Sequence, residues 1–120
     1  MVENRTEQKE ALETLVEFNQ RLVKNMHIIV KELSGERLED TDKFLKGIVD
    51  AMNWEISVMN GTMELLNEGK ERIHKEEFNH KILELASAIE KKNDAQEARA
   101  IENLIPEFDK LENAAKEVIA

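Results

Sequence analysis

The chain has 120 residues and a mass of 13.9 kDa, enough for one domain that buries roughly two-thirds of its unfolded surface. It contains no Cys, one Pro and four Gly, and 36% of its residues are charged; disulfides are excluded, and long helices are favoured over the turn-rich strands of a sandwich or barrel. A net charge of −9 sets the chain against phosphate backbones and anionic lipid surfaces, so neither nucleic acid nor a membrane is an expected partner.

The first predicted helix runs from about Glu3 to Leu33. Leu12, Leu15, Leu22, Met26, Ile29 and Leu33 alternate by threes and fours, with Asn19 filling the gap, and Val16, Val23 and Val30 form a parallel row. This is the wide stripe of a bundle helix, broader than the seam of a two-stranded coil. Ser34-Gly35 supplies the stop, since Gly enters the left-handed conformation cheaply.

The second segment begins at Asp40-Thr41, either of which can cap it, and continues to about Asn67 before Gly69. Leu45, Ile48, Met52, Met59 and Leu66 form its stripe. Val49, Ile56 and Met63 widen it on one side and Ala51, Trp54, Val58 and Leu65 on the other. With apolar side chains around more than half its circumference, this helix is expected to be the most buried.

The third helix carries a start signature. Ile73, His74, Glu77 and Phe78 sit at the spacing of a capping box with a hydrophobic staple; Phe78, Ile82, Leu85 and Ile89 then form the stripe. Asp94 with Glu97 repeats the box spacing and opens the fourth helix. Its inner face is Ala98, Ile101, Ile105, Phe108, Ala115 and Ile119, flanked by Leu104, Leu111 and Val118. Pro106 lies well inside it, and a proline that removes an N–H and crowds the preceding turn predicts a kink. Short connections make neighbours antiparallel, so the expected fold is a single all-α domain over residues 1–120, an up-down-up-down four-helix bundle. The N-terminal stretch is polar and no long apolar run follows, which points to a cytoplasmic protein.

Catalytic chemistry finds little support. The three serines sit in no strand-turn-helix elbow, and the glycines form no phosphate cradle. Two Glu-x-x-His pairs, Glu71–His74 and Glu77–His80, occur in one stretch, whereas a di-metal bundle needs them on facing helices. No metal, cofactor or enzymatic activity is expected.

Two features point to binding. Antiparallel pairing across the Ser34–Asp40 turn brings together residues whose numbers sum to about 75, which places Asn19 and Glu55 in one layer. A buried carboxylate there would have a raised pKa, relieved in part by the amide. The pair reads either as a device that fixes register or as a polar spot for a ligand or a partner's basic side chain. Gly47, Trp54 and Gly61 lie one heptad apart on a single flank. They read either as notches for a closely approaching helix or as a partner surface with Trp54 as anchor, helped by the adaptable Met59.

The run Ala100-Ile101-Glu102-Asn103-Leu104-Ile105-Pro106-Glu107-Phe108, with Ala88–Asp94 before it, is similar to the last helix of small bacterial helical proteins with a Leu-Ile-Pro signature, some of them chaperone-like. The resemblance covers the last quarter of the chain, brings no catalytic residues, and implies a binding role. The expected function is therefore a non-enzymatic interaction module, chaperone or adaptor in type. It would take an amphipathic or basic segment of another protein along the second helix, at Asn19, Gly47, Trp54, Glu55, Met59 and Gly61. A homodimer through the same surface is one alternative, and a metal-binding or enzymatic helical bundle is the other.

Overall fold

A computed structural model describes residues 4–120; the Glu3 start expected for the first helix lies outside them. Five helices follow in order: α1 (Arg5–Leu33), α2 (Thr41–Gly61), α3 (Met63–Leu66), α4 (Lys75–Glu90) and α5 (Asp94–Ile119). Among the described residues there is no strand, and no helix is long and apolar enough to cross a membrane.

Local chemistry sets the boundaries. Asn4 caps α1, its side chain accepting from the Glu7 N–H at 2.8 Å, which satisfies one of the four free donors of the first turn. At the other end the chain leaves through Gly35 at φ +116°. Thr41 opens α2 and locks the preceding turn: its hydroxyl accepts from the Leu38 N–H at 2.7 Å and donates to Glu32 Oε1 at 2.8 Å. Asp40 occupies the cap position without a side-chain cap bond.

The expected continuation of α2 to Asn67 does not occur. The helix ends at Gly61, and Thr62 interrupts it at φ −126° before the single turn of α3. The Thr62 hydroxyl donates back to the Val58 carbonyl at 2.7 Å, a local bond that competes with the helix ladder next to a residue of poor helix propensity. Beyond α3, the Asn67 side chain accepts from the Arg72 and Ile73 N–H groups, both at 2.9 Å, and pins the turn into α4.

His74 caps α4 as expected, and both staple residues, Ile73 and Phe78, are buried. Neither His74 nor Glu77 makes a side-chain cap bond, so the box is not closed. The box expected at Asp94 and Glu97 is displaced by one residue. Asn93 is the cap, accepting from the Gln96 N–H at 3.1 Å, because Asn93 holds the extended backbone while Asp94 is already helical. α5 then runs as one helix through Pro106.

α5 packs against both α1 and α4, while α2 is held chiefly by α1, with α3 bridging α2 and α5. The expectation that the second helix is the most buried is therefore reversed. α5 has eleven buried residues and α2 has six, because a helix gripped on two sides hides more of its surface than one gripped on one. The core is continuous through all five helices and centres on the edge-to-face pair Phe78–Phe108, with centroids 4.9 Å apart. Full burial of each ring contributes about 1.5–3 kcal/mol, with a further increment from the edge-to-face geometry. The long axis of 43 Å is the length expected of the 29-residue α1 at about 1.5 Å per residue.

Candidate functional site: two flanks of the second helix

The six residues singled out along the second helix divide into two groups. Asn19, Glu55 and Met59 are fully buried. Trp54 is 40% exposed, and Gly47 and Gly61 are exposed.

The buried group forms a polar layer whose connections differ from the expected pair. The Asn19 amide donates across to α5, to the Phe108 carbonyl at 3.2 Å and to Glu112 Oε1 at 3.1 Å. It does not donate to Glu55, and neither Glu55 oxygen nor Asn19 Oδ1 finds a partner among the described residues. Burial pushes the Glu55 carboxyl up to about 8, and the nearby Glu112 carboxylate adds to the effect. At neutral pH Glu55 is thus mostly uncharged, which is how a buried acid avoids an unpaired charge. Glu112 differs because it reaches the surface, where Lys116 pairs with it at 2.9 Å.

Of the exposed group, Gly47 lines a groove of about 700 Å³ between the outer faces of α1 and α2, and Gly61 lies outside it. Phe18 and Ile28 come from α1, Leu38 from the turn, and Phe44, Gly47 and Ala51 from α2. Trp54 flanks this groove, its ring edge-on to Phe18 with centroids 5.1 Å apart. Leu38 is 58% exposed and Ile28 41%. The close-approach reading of the glycines fails here. A Cβ placed on Gly47 or Gly61 would meet nothing within 4 Å, so these glycines admit no neighbouring helix and leave the flank open.

Residues 10–114 match the family described as a domain of unknown function, DUF8042. The chain belongs to that family. No curated protein and no solved structure matches it. The family match spans both α1 and α2, so the groove lies within the shared domain.

The histidines are peripheral. His74 pairs with Glu71 at 2.6 Å and His80 with Glu84 at 3.0 Å, all on the surface, and among the described residues no group of three or more His, Asp or Glu is arranged to hold a metal. Sequence reasoning overlooked Phe18, Ile28, Leu38 and Phe44. The signal was available on α2, where Phe44, Gly47, Ala51 and Trp54 recur by threes and fours. That is a second helical stripe beside the core stripe, and it makes Gly47 and Trp54 members of an apolar face.

Proposed function

We propose that this chain is a non-enzymatic protein-interaction module, chaperone-like or adaptor-like. It would dock an amphipathic segment of another protein in the α1–α2 groove, with Trp54 as anchor. In this reading α1, α2, α4 and α5 form an up-down-up-down bundle, with a kink at Pro106 that fits α5 to its neighbours. The carrying observation is one apolar flank on which Ile28, Leu38 and Trp54 are exposed beside the half-buried Phe18 and Phe44. Apolar faces of this kind, centred on an aromatic residue, are what helix-in-groove recognition uses. Asn19, Glu55 and Met59 then support the groove from beneath and touch no partner. The likeness of Ala100–Phe108 to chaperone-like helical proteins favours the same role.

Site-specific photocrosslinking in the native host tests this reading. A photoreactive residue at position 54 should yield one discrete protein adduct that is absent when the same residue is placed at the exposed Asn79 on α4. An adduct with a second copy of this chain would establish the homodimer instead. Equal labelling from both positions would refute a specific site at Trp54.

A further inference from the structure

α1 and α5 form the central pair of the fold, and α2 and α4 are its outer helices, α2 packed chiefly on α1 and α4 on α5. Clefts of about 700 and 440 Å³ run along the two flanks of α2. Both of its ends are anchored. Arg37 ties the preceding turn to α5, donating to the Asp94 oxygens at 2.9 and 3.0 Å. On the far side the buried Leu65 and Leu66 belong to α3, which packs on α5. The helix is interrupted at both joints, by Gly35 at φ +116° and by Thr62 at φ −126°. The span between them can part from the molecule without disturbing the packing of α1, α4 and α5 on one another.

The two outer helices meet the core with opposite kinds of polar group. The α4–α5 seam holds Glu107, buried but met by Lys81 at 2.9 Å and Lys110 at 3.4 Å, beside the Phe78–Phe108 ring pair. α2 enters the core with Glu55, which is 0% exposed and has no partner on either oxygen among the described residues. From α1 the same layer contains the uncharged Asn19. From α5 it contains Glu112, whose cation Lys116 holds the other oxygen at 2.9 Å, toward the surface. Burial and then Glu112 favour the protonated acid, and no cation on α1, α3, α4 or α2 itself opposes them.

We propose that α2 is a proton-held flap: with its proton Glu55 allows α2 to seat in the core, and loss of that proton frees α2 to open as one unit while α1, α4 and α5 stay packed. The charge formed on Glu55 would face the Glu112 carboxylate in a dry layer, and opening delivers it to water. Opening also removes one wall of the Trp54 groove and uncovers Met52 and Met59, whatever occupies that groove. Below about pH 4.5 the open and seated forms both hold the proton. Between about 4.5 and 8 only the seated form does, so the opening equilibrium rises about tenfold per pH unit, and above 8 it levels off. Glu107 responds in the other direction, its lysines holding it ionised across the same range, so the α4–α5 seam stays closed where α2 loosens.

Native-state hydrogen exchange followed by NMR tests this on the whole chain between pH 5 and 8, with rates corrected for intrinsic exchange. The α2 amides from Met52 to Met59 should share one opening constant, about tenfold or more above that of the α5 amides around Ile101 and Phe108, and rising about tenfold per pH unit. Glu55→Gln should lower the α2 constant and flatten its pH slope. Glu102→Gln, an equal charge change at an exposed site on α5, should do neither. A single opening constant for α2 and α5 would show that α2 opens only when the whole molecule unfolds, and would overturn the proposal. A pH slope that survives in Glu55→Gln, or is equally flattened by Glu102→Gln, would overturn it as well.

Discussion

Replacing Glu55 by Gln should stabilise the protein by an amount that grows with pH. The Glu55 carboxyl titrates near 8 in the folded chain against an ordinary value of 4.5. Below about pH 4.5 both states hold the proton, and Glu55 contributes no pH dependence. Between about 4.5 and 8 the folded chain keeps a proton that the unfolded chain has released, so the unfolding free energy falls by about 1.4 kcal/mol per pH unit. At pH 7 the accumulated loss reaches up to about 3 kcal/mol. Gln has the same shape and no charge to lose. Urea unfolding of both proteins at pH 5, 6, 7 and 8 isolates the effect, because every other titrating group is common to the pair. The difference should be small at pH 5 and rise steadily to pH 8. A difference independent of pH, or a Gln variant that loses ground as pH rises, would show that Glu55 is ionised and paired, contrary to the packing described.

Gly47→Ala should stabilise the chain by about 0.5–1 kcal/mol, as helix propensity predicts for a site where the new methyl meets nothing; thermal melting checks it. Lys81→Met should destabilise the protein by on the order of 2 kcal/mol, by leaving the buried Glu107 with only the longer contact to Lys110. Burial opposes ionisation of Glu107, but its lysines outweigh burial and hold the carboxyl below its ordinary range. This contribution is therefore present at neutral pH and lost as acid carries the pH down through the folded value, so the Lys81→Met penalty should shrink in acid unfolding curves. Trp54 fluorescence in the monomer should be quenched by acrylamide, and Phe18→Ala should increase that quenching by removing the ring against its edge.

The core stripes were legible in the sequence because a 3.6-residue period is a local property. Leu12, Leu15, Leu22, Met26 and Ile29 on α1, and Ile101, Leu104, Phe108 and Leu111 on α5, are all buried as their spacing required. The pattern could not reveal which neighbour each face meets. The broad apolar sector of α2 implied deep burial, yet only α1 packs extensively along it, and its two flanks remain open. Layer arithmetic compared Asn19 only with the next helix in the chain, whereas its amide is claimed by α5, which arrives from the far end of the sequence. Thr62 and Asn93 illustrate the same limit at helix ends. Several adjacent residues can cap or break a helix, and backbone conformation chooses among them. Glu97 fitted a capping box by spacing, and the one-residue shift to Asn93 left it outside the box.

The central claim is that α2 sits in the fold with apolar surface open on its outer flank, available to a partner. Paramagnetic relaxation from a soluble gadolinium chelate measures this directly, residue by residue, in a sample verified as monomeric by light scattering. The Trp54 indole and the Ile28 and Leu38 methyls should be strongly relaxed, while Met52, Met59 and Ile101 stay unaffected. Protection of Trp54, Ile28 and Leu38 equal to that of Met59 would contradict the account.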